Sequence, residues 1–331
     1  MAEASSERIV ICGVGAISSL GLSAAQTTAQ VRAGVSGAML SDLVDGVGDR
    51  VSIAALSWAD LPLMELPVTL PLREQEIVRL AVGALTDVVQ GLPAEYPALP
   101  TWGVWPERSA GVPLDNSRCA ALLGPRFISQ QTLRGAAGSL QAVAEAASWI
   151  QMSGGLAVVV AADSLVHPYI LATLLAEGRV KTKRQAEGLI PGQGAAALLL
   201  GDSATVARLG LPRLATIGGS GSATDPLPEP RGDGLSAAIR LALNGTDTLV
   251  NAWWTTFSGE RAYAQEHSTA CIRSSDRCDK RHEVHHPAMY LGDTGAAAAL
   301  LATVCAVSRP TRPALICATA DGAQRAALLV L

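Results

Sequence analysis

The chain has 331 residues, 49% of them hydrophobic and 16% charged, with a net charge of -4. That composition can bury a large core and excludes a disordered tail. The basic run Lys181-Thr182-Lys183-Arg184 is too short to track a phosphate backbone, so nucleic-acid binding is not expected.

Six cysteines spread over this length form no small disulfide framework, which fits a reducing compartment. The polar start MAEASSER does not read as a signal peptide. Apolar stretches such as residues 295–307 fall short of a membrane span. A cytoplasmic α/β protein is expected.

Residues 8–16 (RIVICGVGA) read as a buried strand. Ser23 is placed to cap a helix over 24–33 that stops at Gly34. The glycine pair at 13 and 15 invites a dinucleotide reading, but Ser18 stands where the third glycine would be. Residues 50–55 suggest a strand, and 72–90 an amphipathic helix with Ile77, Leu80, Ala81, Ala84, Leu85 and Val88 on one side. Residues 91–116 read as a strand or two within loops, and 119–123 as a short strand.

The organising stretch is 134–150, RGAAGSLQAVAEAASWI. A small-residue corner opens there into a helix with apolar positions at three and four. Such corners present nucleophiles, because backbone N–H groups at a helix start favour developing negative charge. This corner carries no cysteine.

The run 156–161 is a buried strand and 169–177 a helix. Residues 181–201 look like a glycine hairpin ending in an apolar strand. A strand and a glycine-serine loop are expected over 212–223, helices over 234–244 and 258–266, and a strand over 248–252. A second alanine-rich helix opens from glycines over 292–307, and 314–318 with 325–331 close the chain as a strand pair. Two helices that each start at a glycine corner suggest a duplicated α/β unit, divided into 1–205 and 206–331.

In this order the motifs resemble β-ketoacyl synthases of the thiolase fold. RIVICGVGAISSLGLSAAQTTAQVRAGVSG looks like their opening strand, loop and helix. EGLIPGQGAAALLL looks like their glycine hairpin, with Gln193 where glutamate is usual. PRGDGLSAAIRLAL, GDTGAAAALLATV and PALICATADGAQRAALLVL match three further landmarks. The resemblance implies an αβαβα sandwich of two similar halves and a homodimer, or a heterodimer with a related ketosynthase-like subunit. It implies no cofactor.

It also implies that the family's nucleophilic cysteine falls at Ala136 (or Ala137), its first histidine at Trp253, and its second at Gly292 or Asp293. A methyl group cannot accept an acyl chain. The glycine-aromatic loop near the terminus becomes Ala320-Asp321-Gly322-Ala323. A vestigial pocket would comprise Ala136, Ala137, Ser139, Trp253, Trp254, Asp293 and Asp321, and the two indoles are large enough to plug it.

Other candidates are Ser139 as a replacement nucleophile with His167 as base, and Asp163 as the cap of the turn after its strand. Cys271, Cys278, His282 and His285 form a metal candidate whose spacing matches no standard zinc motif. Cys12 and Cys305 are expected to be buried packing residues.

The expectation is a pseudoenzyme acting through protein contacts. An adaptor or chaperone for a client such as a secreted bacterial effector is favoured, because the chain is shorter than active members and its pocket positions are replaced. A chain-length-factor-like partner of an active ketosynthase is the alternative, and an acyltransferase with relocated residues the third reading.

Overall fold

The computed structural model describes residues 9–93, 95–108, 122–226 and 231–331. The first half begins with β1 (Ile9–Ser18), longer than its apolar run. It leads to α1 (Ala24–Arg32), whose first turn is capped as expected by the Ser23 hydroxyl, which accepts from the Gln26 N–H. A small two-stranded sheet, β2 (Met39–Val44) and β3 (Arg50–Ile53), precedes the amphipathic α2 (Leu72–Val88). Then come β4 (Leu99–Trp105), β5 (Phe127–Arg134), α3 (Gly135–Ser153), β6 (Leu156–Ser164), α4 (Pro168–Ala176) and β7 (Gln193–Asp202).

The helix α5 (Ser203–Arg208) leads to the second half. This holds β8 (Ala215–Thr224), α6 (Asp233–Ala242), β9 (Val250–Thr255), α7 (Arg261–Arg273) and β10 (Cys278–His285). It ends with α8 (Ala288–Leu291), α9 (Ala298–Val307), β11 (Ala314–Thr319) and β12 (Gln324–Val330).

The strand order of the main sheet is β10-β9-β11-β12-β8-β1-β7-β6-β4-β5, ten strands among the described residues. Read from either edge, the pattern is the same. In the first half β5, β4 and β6 are parallel, and β7 and β1 follow antiparallel. In the second half β10, β9 and β11 are parallel, and β12 and β8 follow antiparallel. The halves meet through a short β1–β8 ladder, Val10 opposite Thr216 and Ile11 opposite Ala215.

Between the halves lie α3 and α9. The first packs on β4, β6, β8, β11 and β12, the second on β1, β7, β9 and β11. The outer face of the first half is covered by α2, that of the second by α6. The result is the layered α/β duplication that the sequence suggests, with the halves' strands joined into one hydrogen-bonded sheet.

Several expectations need correction. The glycine-serine segment 218–222 is strand, not loop, and its glycines serve packing. A Cβ at Gly219 would lie 2.3 Å from the Ala242 carbonyl oxygen and one at Gly221 would lie 2.1 Å from that of Ala238, so α6 can approach β8 only over bare backbone. Residues 181–201 form no hairpin. Val180 and Leu189 bridge each other, and β7 inserts between β1 and β6, where its unbroken apolar run is buried on both faces.

The edge strand β5 escapes notice because its sequence, FISQQTLR, is polar and does not alternate. Of the strand expected over 119–123, residues 119–121 lie outside the described residues, and Leu122 and Leu123 are helical. The second alanine-rich helix starts later than its glycines suggest, as a 3-10 turn over Gly295–Ala297 before α9. The charged segment after residue 267 divides into the end of α7 and β10.

Candidate functional site

Four parallel strands, β4 and β6 from one half and β9 and β11 from the other, run their carboxyl ends toward one place. Open α/β sheets bind ligands there, because chain leaving the strand ends is free to carry side chains. A cavity of about 60 Å3 lies at this point, lined by Ala136, Glu107, Arg108, Asp163, Arg179, Thr256, Ser258, Glu260, Tyr263, Asp293, Thr319 and Asp321, among others. That is room for a few waters, well below the roughly 300 Å3 at which small-molecule pockets begin.

Gly135, with φ +67°, turns the chain from β5 into α3 and sets Ala136 at the cavity wall. Facing it is Glu107, two residues past the end of β4. One Glu107 carboxylate oxygen accepts the Asp321 N–H at 2.9 Å, and the other faces the Gly322 N–H at 3.4 Å. Burial pushes the Glu107 pKa up, and the charge of Asp321 adds to the shift.

Around this contact runs an ion cluster joining both halves. Arg179 binds Glu260 through Nε and Nη2, at 2.6 and 2.9 Å, and Asp321 through Nη1 and Nη2, at 2.9 and 2.8 Å. Arg108 donates to Asp321 at 2.7 Å and to Glu177 at 2.9 Å. Burial alone would raise Asp321, but Arg179 and Arg108 outweigh it and hold the carboxyl at about 2. The Tyr263 hydroxyl closes the group, 3.5 Å from Asp321.

The floor is equally committed. Asp163 is buried at the end of β6. Its Oδ1 accepts from Arg73 at 2.9 Å and from the Ser164 N–H, and its Oδ2 accepts the Ala296 N–H at 3.0 Å. It therefore holds the opening of the second central helix as well as the turn after its own strand. Burial raises it to about 6 against the pull of Arg73. The Asp293 carboxylate accepts from the Gly295 N–H at 2.9 Å and is raised by burial.

Of the seven residues expected in the pocket, Ala136, Asp293 and Asp321 line the cavity. Ala137 is buried in the core beside it. Ser139 donates its hydroxyl to the Ala296 carbonyl at 2.6 Å, which gives it a structural partner in place of His167.

The indoles are elsewhere. Successive residues of β9 face opposite sides of the sheet. Trp253 packs among Leu235, Ile239, Leu315 and Leu329 under α6. Trp254 is buried on the other side, stacked on His285 with ring centroids 4.1 Å apart. Neither indole lines the cavity, which is bordered instead by Glu107 and the ion cluster, and the β9 end reaches it through Thr256 and Ser258.

Cys271, Cys278, His282 and His285 do not converge. Cys278 is at the start of β10 with its thiol on the Ser274 carbonyl, His282 bonds the Asp279 carbonyl, and His285 pairs with Glu283. No group of three or more potential ligands assembles a metal site among the described residues. Cys12 and Cys305 are buried, with thiols raised to about 12 by burial. Among the described residues no helix is long and apolar enough to cross a membrane.

The residues missed in sequence are Glu107, Arg108, Arg179, Glu260 and Tyr263. Only the first two left a signal: a charged pair directly after the buried run that ends at Pro106.

Comparison with known proteins places this geometry. The chain aligns with the actinorhodin polyketide beta-ketoacyl synthase 2 of Streptomyces coelicolor, 33% identical over 138 residues. That stretch covers 38% of this chain and about a third (34%) of the relative's length. No family model matches.

Solved structures match along nearly all of it. The ishigamide ketosynthase/chain length factor superposes with a TM-score of 0.79 at 20% identity, over 98% of this chain and 99% of that one. A beta-ketoacyl synthase from Burkholderia phymatum gives 0.74 at 17% identity, over 98% and 99%. A ketosynthase in complex with its chain length factor from Xenorhabdus doucetiae gives 0.72 at 16%, over 100% and 99%. The fold is that of the ketosynthases.

Proposed function

We propose that this chain is a non-catalytic ketosynthase-fold subunit that pairs with an active ketosynthase, in the manner of a chain length factor. One observation carries the reading. Ala136 stands at the helix start where the resemblance puts the nucleophile, and the space before it is reduced to about 60 Å3 by the side chains of Glu107, Arg108, Arg179 and Asp321. A methyl group there gives no covalent acyl-enzyme, and among the described residues about 60 Å3 is too little space for an acyl chain.

Two further features support pairing. Among the described residues the strand β5 is hydrogen-bonded on one side only, to β4, and it runs straight into the Ala136 corner. An open edge beside that corner is a surface for a second chain of the same fold. Two of the similar solved structures are ketosynthase and chain length factor assemblies. These favour the chain-length-factor role over the adaptor role that the sequence alone suggested.

Affinity purification from the native host with mass spectrometry tests the pairing. Recovery of a ketosynthase carrying the cysteine and both histidines, at equal stoichiometry, is the expected outcome. Recovery of an unrelated client such as an effector would replace this reading with the adaptor. Transfer of a labelled acyl group from a carrier thioester onto this polypeptide would end both.

A further inference from the structure

Three of the five cysteines among the described residues gather in one apolar cluster of the second half. Cys317 on β11 and Cys278 at the start of β10 are buried in it. Cys271, in the last turn of α7, packs against it half-buried.

The turn from α7 to β10 draws two of the three together, because both bind one residue, Ser274. Its N–H donates to the Cys271 carbonyl at 3.2 Å, and its carbonyl accepts the Cys278 thiol at 3.5 Å. A 3-10 turn over Ser275–Arg277 closes the loop, with the Arg277 N–H on the same Ser274 carbonyl at 3.0 Å. The thiols also lie within electrostatic reach of each other. Burial pushes Cys278 up to about 11 and Cys271 adds to the shift, while burial and then both neighbours raise Cys317. Protonated thiols are poor nucleophiles, so the reduced pair reacts slowly at neutral pH.

We propose that Cys271 and Cys278 are a dithiol that a peroxide converts to a disulfide, pinning the last turn of α7 to the start of β10. Cys271 is the point of entry, being the more accessible of the two. Its thiolate attacks one peroxide oxygen: the S–O bond forms, the O–O bond breaks, and the other oxygen leaves as hydroxide, which takes up the thiol's proton to become water. The Cys278 sulfur then gives up the Ser274 carbonyl and attacks the Cys271 sulfur. The S–S bond forms, the S–O bond breaks, and the Cys278 proton departs with the second water. Two thiols are oxidised and one peroxide is reduced. A thiol reductant reverses the bond. Cys317, fully buried between β9 and β12, stays reduced. The proposal is independent of what the chain pairs with.

The test treats the whole reduced chain with hydrogen peroxide, blocks the remaining thiols and maps the peptides by mass spectrometry. Cys271 should be found joined to Cys278 within one chain, lighter by two hydrogens, with Cys317 blocked as a free thiol. The bond should form faster as pH rises, because more thiolate is present. Thermal unfolding of the oxidised chain should have a higher midpoint than that of the reduced chain, since a cross-link restricts the unfolded state. Dithiothreitol should return it. Cys271→Ser should show neither the bond nor the shift.

If serine at 271 does not fold, the map of bonds in the parent carries the test. A Cys278–Cys317 bond, a bond between chains, or oxidation that stops at the Cys271 sulfur overturns the proposal.

Discussion

The Ser139 hydroxyl donates to the Ala296 carbonyl at 2.6 Å, 157 residues away in sequence, and ties the first turn of one central helix to the opening of the other. The N–H of the same residue, Ala296, is held by Asp163. One peptide segment is therefore gripped at both ends, and the two halves of the duplication are fixed against each other directly beneath the cavity.

Replacing Ser139 with alanine leaves the Ala296 carbonyl buried without this donor. The cost of such an orphaned group is about 1–3 kcal/mol. Urea unfolding should show a lower midpoint with an unchanged slope.

Asp163→Asn should cost more. It replaces a carboxylate oxygen that accepts from Arg73 and the Ser164 N–H, or from the Ala296 N–H, with an NH2 group that cannot accept, and each buried donor left without its acceptor costs about 1–3 kcal/mol. The double variant with Arg73→Met should be less destabilised than Asp163→Asn alone. The pH dependence carries a sign. Asp163 titrates at about 6 in the native chain and near about 3.9 when unfolded, so its contribution favours the native state below the lower value. That contribution fades as pH rises through 6. Comparing the stability–pH curve of the Asp163→Asn variant with that of the parent isolates it.

His267 works in the opposite direction. It is buried, and both ring nitrogens lack hydrogen-bond partners among the described residues. Burial first, then His286 and Arg325, push its pKa down to about 3. The unfolded chain takes up this proton near about 6.5, so stability is full above that pH and is lost as pH falls toward 3. His267→Phe should keep or raise stability at pH 7 and move the acid-unfolding midpoint to lower pH.

Arg179→Met separates the elements that close the cavity, since Arg179 binds both Glu260 and Asp321. The expected loss is about 2–4 kcal/mol, since the pairs are largely but not wholly buried. Arg179→Lys should recover only part of it, because an ammonium cannot make two forked contacts. Thermal unfolding of both variants checks this.

Ala136→Cys places a thiol at the corner, where the cavity of about 60 Å3 leaves little space to use it. No acyl label from a carrier thioester should appear on this variant. Labelling would show that a thiol at this position suffices for acyl transfer and would overturn the non-catalytic reading.

The local code was legible where one element settles its own fate. The apolar runs of β6 and β7, the period of α2, the Ser23 cap and the glycine corner before α3 each follow from neighbours in sequence. The duplication showed in the two alanine-rich helices that each follow a glycine corner. Strand β5 did not show itself, because an edge strand buries too little to impose alternation. The side of the sheet on which Trp253 falls was equally silent, because it depends on a one-residue phase within β9.

Sequence by itself determined the framework and the methyl group at position 136. Only the tertiary structure decided what fills the space before it. Glu107, Arg179, Glu260 and Asp321 are far apart along the chain, and their meeting is a product of the ends of β4, β9 and β11 converging on the connection after α4, which no local pattern encodes.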